Sequence, residues 1–146
     1  MHNIQSPRTD DNAIEQEIQA KGKTAPRVTP AEIEANIASE HYFTAADGVD
    51  GHNIAVLRAS EPTAPLEVAP MSDDPDLGKT GMAPLRLLTF CVLVLGNGFT
   101  VTGESACASP ENFDAEIGRK IARQNAVNKI WPLMGYALKQ QLHDVA

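Results

Sequence analysis

The chain has 146 residues, 42% of them hydrophobic, and a formal net charge of −7. This length fits one domain of ordinary size. The charge is uneven: residues 1–84 hold six basic and fourteen acidic residues, whereas residues 85–146 hold six basic and five acidic residues. The chain therefore lacks the clustered cations with which nucleic-acid-binding proteins neutralise phosphates, and we expect no nucleic-acid polymer as a partner.

We expect no membrane association and no secretion by the ordinary route. Met1 to Lys23 are polar and charged, without the apolar stretch of about 7–15 residues found in signal peptides. The most apolar run, Leu85 to Leu95, is shorter than the roughly 20 residues that span a bilayer as a helix. Cys91 and Cys107 are expected to be free thiols in a reducing compartment. A disulfide bond between them is the alternative if their strands align.

A boundary between an N-terminal leader and the folded domain is expected at about residue 28. Residues 1–27 are expected to form a mobile or weakly helical leader, since Asn12 to Lys21 offers only one apolar turn. Residues 28–146 are expected to form a single domain. The domain boundary precedes the first strong helix signal.

That signal is the run Thr29-Pro30-Ala31-Glu32. It places a capping hydroxyl before a proline at the first helical position and a glutamate three residues after the cap. The pattern predicts a helix that ends near His41 to Phe43.

Residues 45–84 are the least regular part of the sequence. Five prolines and four glycines interrupt them. We predict a long irregular arm, inserted in the domain, with at most a short strand at Asn53 to Leu57.

A β-hairpin is predicted next. Leu87 to Leu95 and Phe99 to Thr102 are rich in β-formers and flank Asn97-Gly98, which favours a two-residue type I′ turn. That turn would place Val94 opposite Val101 and Leu93 opposite Thr102. Because the first strand is apolar on both faces, we expect it to be central and covered on both sides, with the second strand at an edge.

The C-terminal third shows apolar residues at helical spacing from Phe113 to Leu142. Pro132 lies inside this pattern and predicts a kinked helix or a helix pair. The fold class is therefore α+β: an N-terminal helix, an irregular arm, a small antiparallel sheet and a kinked C-terminal helical segment.

No motif for catalysis stands out. Gly78-Lys79-Thr80 resembles the end of a phosphate-binding loop, but Asp74 holds the place of the required glycine. The four histidines are scattered, so we assign no catalytic residue, no metal ligand and no cofactor. A small hydrolase on an unrecognised site remains the third alternative.

A cluster of basic and polar residues on the C-terminal helix is the best candidate site. Arg119 and Arg123 are four residues apart and project together, while Lys120 and Asn128 continue towards the apolar face. One interpretation is that these groups pair with the acidic front half of the chain. The other is a pocket in which guanidinium groups bind an anionic ligand through paired hydrogen bonds. The predicted ligand-binding residues are Arg119, Lys120, Arg123, Asn128, Tyr42, Phe99 and Trp131.

The sequence resembles a known group of phage proteins. Leu88 to Leu95, Asn97 to Cys107, Asn112 to Arg123 and Trp131-Pro132-Leu133 look like the small tailed-phage proteins grouped under gene product forty-nine of a coliphage and gene sixty-six of a Shigella phage. The resemblance covers roughly residues 28–48 and 85–142. It implies a phage accessory protein in the host cytoplasm and supplies no catalytic residues.

Two functions from different classes follow from these features. The first is a non-enzymatic protein that sequesters a small anionic ligand, such as a host immune-signalling nucleotide, in a counter-defence role. The second is an inhibitor or adaptor that engages a host protein through its acidic leader and arm. Since one hairpin and a few helices make a thin core, we also expect a homo-oligomer.

Overall fold

The computed structural model describes residues 10–63, 65 and 82–146. The elements in chain order are α1 (Asp11–Ala20), α2 (Pro30–Ala35), β1 (Ile37–Thr44), α3 (Ala45–Ser60), β2 (Leu88–Leu95), β3 (Thr100–Ala106) and α4 (Ala115–Asp144). Short 3-10 turns precede β2 and α4. The α+β class predicted from the sequence is confirmed, while the predicted division at residue 28 stays a prediction.

The three strands form an antiparallel sheet in the order β1-β2-β3. The first strand of the hairpin, β2, is central, as its apolar character predicts. Its residues alternate between a buried face, formed by Cys91, Leu93 and Leu95, and a face that is only half-buried. Helix α4 covers the buried face, whereas the other face is half-buried, so the predicted cover on both sides is complete on one face only.

The hairpin turn differs from the predicted one by one residue. The N–H of Leu95 donates to the carbonyl of Phe99, and the N–H of Gly98 donates to the carbonyl of Leu95, each over 2.8 Å. Gly98 alone among the turn residues has a positive φ, of 88°, whereas a type I′ turn requires positive φ at both central residues. The loop therefore has three residues, and Leu93 lies opposite Val101 rather than Thr102. This register places two apolar residues together on the buried face.

Strand β1 occupies residues that we predicted to be helical. Helix α2 ends at Ala35, and the chain then pairs with β2 from Ile37 to Thr44. The prediction of a helix as far as His41 to Phe43 is wrong, because β-formers at the end of this segment find a partner strand. The pairing sets Glu40 opposite Leu93, and therefore on the side of the sheet that faces α4.

The segment after β1 is helical, not irregular. The side chain of Thr44 accepts a hydrogen bond from the N–H of Asp47 at 3.1 Å, and the carboxylate of Asp47 accepts one from the N–H of Thr44 at 2.9 Å. This second capping box starts α3, so the irregular arm is a wrong prediction for residues 45–60, as is the strand at Asn53 to Leu57. Residues 64 and 66–81 of the predicted arm lie outside the described part of the chain.

Replacing Thr44 with alanine tests this cap. We expect the variant to lose about 1 kcal/mol of stability, because one amide group of the first turn then lacks its partner. Chemical denaturation followed by circular dichroism measures the change, with Thr44→Ser as the control that keeps the hydroxyl. Equal stability of the alanine and serine variants would contradict the role of the cap.

Helix α4 runs unbroken for 30 residues. The Asp114 side chain caps its start by accepting from the N–H of Ile117 at 3.0 Å. The helix continues through Pro132, so of the two predicted alternatives, a kinked helix or a helix pair, the helix pair is wrong. Trp131 and Met134 pack against the core on either side of the proline, and this packing offsets the lost hydrogen bond.

Both cysteines are free thiols. Cys91 lies in the middle of β2, paired with Gly103, whereas Cys107 follows the end of β3. The pairing that the sequence left open therefore does not form, because the register separates the two residues. Burial raises the pKa of the Cys91 thiol.

Candidate binding groove

A groove of about 700 Å³ lies between the first turn of α1, helix α2 and helix α4. Its volume falls in the range of about 300–1,000 Å³ that is typical of sites for small ligands. The charged and aromatic residues along it are Asp10, Asp11, Glu34, Lys120, Arg123 and Trp131. The groove therefore combines carboxylates, cations and one indole ring.

Helix α4 supplies one wall. Lys120, Gln124, Val127 and Trp131 follow one another at spacings of four, three and four residues, which places them on one side of the helix. This side differs from the one that packs on the sheet, where Gly118, Ala122 and Ala126 lie.

Helix α2 supplies the opposite wall. It begins at a capping box in which the Thr29 hydroxyl accepts from the N–H of Glu32 at 3.2 Å and the Glu32 carboxylate accepts from the N–H of Thr29 at 3.1 Å. Ile33 is 1% exposed and anchors the helix in the core. The next residue, Glu34, is thereby held beside α4.

Arg123 joins three elements of the fold through its guanidinium group. Two of its nitrogens donate to the two carboxylate oxygens of Glu34, at 3.0 and 2.7 Å. Its Nε donates to Oε1 of Glu40 at 2.5 Å. One cation is therefore shared by two carboxylates, one from α2 and one from β1.

This ion-pair cluster extends to a tyrosine. The Tyr42 hydroxyl donates to Oε1 of Glu40 at 2.8 Å. The hydrogen bond that Arg123 donates to Glu40 lowers the pKa of Glu40, and the hydrogen bonds that Arg123 donates to Glu34 raise the pKa of Arg123. Desolvation and the bond to Glu40 raise the pKa of Tyr42. These groups therefore keep their usual charge at neutral pH.

Helix α1 closes the third side of the groove. The Asp10 carboxylate caps it by accepting from the N–H of Asn12 at 2.8 Å. The indole N–H of Trp131 donates to Asp11 at 3.2 Å. Glu15 accepts two hydrogen bonds from Arg27, which lowers the pKa of its carboxyl. These contacts tie α1 to the body of the domain.

The charge of the groove is negative on balance. Its lining holds three carboxylates and two cations. One cation, Arg123, is already neutralised by Glu34 and by Glu40. Glu40 belongs to β1 and is not among the residues that line the groove. The other cation, Lys120, forms an exposed pair with Glu116 at 3.1 Å.

The predicted site residues are only partly brought together. Lys120, Arg123 and Trp131 line the groove, and Tyr42 reaches it indirectly through Glu40. Arg119 is exposed and lies outside the lining, as does the half-buried Asn128. Phe99 is 57% exposed at the hairpin end. Ligand binding by this set stays a prediction.

The basic cluster on α4 was predicted either to pair with the acidic front half of the chain or to bind an anionic ligand. Arg123 pairs with the front half, through Glu34 and Glu40. The carboxylates that surround it, Glu34 and Glu40, were not identified individually from the sequence. The signal for them was the excess of acidic residues in the front half, since a half-buried arginine on α4 requires partners. Their identity depends on the register of β1, which the sequence did not predict.

Among the described residues, no group of three or more His, Cys, Asp and Glu side chains is placed to hold a metal ion. The helices within the described ranges are all too short or too polar to cross a membrane.

Comparison with known proteins places the chain in a family. No curated protein and no solved structure matches it. A family model described as the phage protein (N4 Gp49/phage Sf6 gene 66) family matches residues 28–142, which include α2, the sheet and nearly all of α4. Only the α1 side of the groove lies outside the match. The chain therefore belongs to the N4 Gp49/Sf6 gene 66 family of phage proteins.

Proposed function

We propose that this phage protein is a non-enzymatic binding protein that holds a positively charged segment of a host protein in the groove between α1, α2 and α4. It acts in the host cytoplasm as an inhibitor or adaptor. The supporting observation is the charge of the groove: Asp10, Asp11 and Glu34 line it, while Arg123 is already neutralised by two carboxylates.

The chemistry of the groove suits a basic peptide segment. A lysine or arginine side chain of the partner gains a carboxylate from Asp10 or Asp11 at the rim, where each pair contributes about 0.2–1 kcal/mol. Trp131 provides an apolar and aromatic surface beside these carboxylates, and cations bind favourably over such rings. The net charge of −7 also speeds encounter with a basic partner.

A small anionic ligand is the second candidate, with the protein as a counter-defence sponge. The volume of about 700 Å³ and the presence of Lys120 and Trp131 on one wall favour it. The carboxylates of the groove oppose it, because an anion would lie near Asp10, Asp11 and Glu34, and both cations of the lining already pair with a carboxylate.

Capture from host lysate with charge variants tests the proposal. Asp10→Asn with Asp11→Asn removes two groove charges while keeping oxygen acceptors for the cap and for Trp131. Asp50→Asn with Glu61→Gln removes two charges outside the groove lining and is the matched control. We expect the groove variant to retain roughly tenfold less of a salt-eluted partner, because two charge pairs are lost.

The control is expected to capture the partner as the wild type does. Equal capture by the wild type and the groove variant would contradict the proposal. Incubation of the wild type with a panel of cyclic nucleotides, followed by heat release, tests the second candidate. A nucleotide that is retained and released intact would support the sponge and contradict the basic partner.

A further inference from the structure

Helix α4 extends well beyond the sheet that it covers. Its last buried residue is Ile130, and 14 further residues follow from Trp131 to Asp144, a length of about 21 Å. Gly118 faces Thr89, and Ala122 and Ala126 face Gly103, so the helix advances towards the hairpin turn. Its overhanging part therefore projects past the end of the sheet that carries Phe99.

This overhang is apolar around much of its circumference. The nine residues 130–138 hold no charged side chain. Trp131 and Met134 pack against the core, but Leu133 is 40% and Tyr136 is 74% exposed. A helix that is apolar on all sides is normally buried, so this one lacks a cover within the described part of the chain.

Phe99 is exposed at the hairpin end, towards which α4 advances. It precedes the buried Val101 by two residues and thus points to the α4 side of the sheet. Its exposed fraction is 57%. We call Phe99, Leu133 and Tyr136 the overhang patch. Large exposed apolar patches of this kind mark interaction surfaces.

The overhang also needs support to stay helical. The packing of Trp131 and Met134 on the core offsets the cost of Pro132, but Gly135 costs about 1 kcal/mol more relative to alanine. Nothing lies within 4 Å of a Cβ added at Gly135, so no close approach inside the described chain accounts for this glycine. Packing of the exposed side of the overhang on another surface would offset this cost, since most helical stability in proteins comes from tertiary packing.

We propose that the overhang patch is the contact through which two copies of this chain form a symmetric dimer, with the two α4 overhangs packed antiparallel. Charge favours a second copy. Residues 130–138 of the helix carry neither an acidic nor a basic side chain, although the whole chain has a net charge of −7. Two such acidic chains meet with the least repulsion at this part of their surface.

The spacing of the exposed positions fits a twofold axis. Leu133, Tyr136, Ala137 and Gln140 are separated by three, one and three residues, a pattern that is the same when read in either direction. A symmetric contact requires such self-complementarity, since residue i meets residue j and residue j meets residue i. In an antiparallel pair centred here, each Tyr136 lies over the small Ala137 of the partner helix, and each Leu133 lies over Gln140.

Subunit number as a function of concentration tests the dimer. We expect native mass spectrometry and light scattering to show a dimer for the wild type at about 50 µM, well above the micromolar Kd typical of a modest interface. Tyr136→Lys with Leu133→Lys is expected to give a monomer. Val56→Lys, at a residue 55% exposed on α3, is the matched control and is expected to remain dimeric. A wild type that is monomeric throughout would overturn the proposal.

Disulfide crosslinking tests the same dimer without the lysine variants, whose loss of dimer could also come from misfolding. In a Cys107→Ser background, Ala137→Cys is expected to form a disulfide-linked dimer on oxidation, whereas Val56→Cys is not. Crosslinking of the Val56→Cys protein but not of the Ala137→Cys protein would place the interface elsewhere and overturn the proposal. The proposed groove takes no part in this contact, so either proposal stands if the other fails.

Discussion

Replacing Gly103 with alanine is expected to prevent folding or to cost about 4 kcal/mol or more. A Cβ at this position would lie 2.0 Å from the carbonyl oxygen of Ala122 and 2.3 Å from the backbone nitrogen of Ala126. Both atoms belong to the backbone of α4, so no side-chain rotation relieves the overlap. The helix would have to lift off β3 and lose contact with the buried face of the sheet.

Urea denaturation of the variant measures this loss. Gly51→Ala is the control, because a Cβ at Gly51 of α3 meets nothing within 4 Å. Alanine in a helix is more favourable than glycine by about 0.5–1 kcal/mol, so this control is expected to be slightly more stable than the wild type. A Gly103→Ala protein with wild-type stability would show that α4 does not cross β3 at this close distance.

Replacing Arg123 with methionine is expected to cost about 2 kcal/mol at pH 7. The variant leaves Glu34 and Glu40 near each other without the cation that both contact. The loss is smaller than for a fully buried pair, because the side chains of Arg123, Glu34 and Glu40 are 29%, 56% and 38% exposed. Lys120→Met, which breaks only an exposed pair with Glu116, is the control and is expected to cost less than about 0.5 kcal/mol.

The stability difference between Arg123→Met and the wild type is expected to shrink in acid. Arg123 lowers the pKa of Glu40, so this carboxylate stabilises the wild type above its ordinary pKa of 4.5. That contribution is lost as the pH falls below 4.5 and through the lowered folded-state value. Unfolding curves from about pH 7 to about pH 3 measure the difference. A difference that stays constant over this range would contradict the role of the carboxylates.

The sequence predicts best those elements whose signals are local. The capping box at Thr29 starts α2 where expected, and the apolar strand beginning at Leu88 is central. The turn after Leu95 shows the limit of local reasoning: Asn97-Gly98 suits a two-residue turn, yet the chain uses three residues with Gly98 left-handed. Pairing of Leu93 with Val101 on the buried face decides between these alternatives, and that packing is not visible in the turn residues.

Strand β1 and helix α3 were missed for different reasons. Residues 37–44 become a strand because β2 offers them an edge, which is a tertiary effect. Asp47-Gly48 suggests a turn, but Asp47 sits three residues after Thr44 and closes a capping box. Aspartate three residues after the cap is a weaker sequence signal for a capping box than the glutamate at the same position of α2.

The candidate groove was predictable on one side only. Helical spacing places Lys120 and Trp131 on a common face of α4, and both line the groove. The opposite wall comes from residues over 80 positions earlier in the chain, including Glu34. Without the strand register and the docking of α2, the sequence could not reveal that carboxylates surround Arg123.

Fluorescence of Trp131, the single tryptophan of the chain, tests the central claim most directly. Its indole lies in the groove and donates to Asp11, so a ligand there changes its emission. We predict that a lysine- and arginine-rich octapeptide shifts the emission in a saturable, salt-sensitive manner, and that Asp10→Asn with Asp11→Asn weakens this response about tenfold. An acidic octapeptide and a cyclic dinucleotide are expected to leave the emission unchanged. A response to the nucleotide but not to the basic peptide would contradict an acidic groove that binds protein segments.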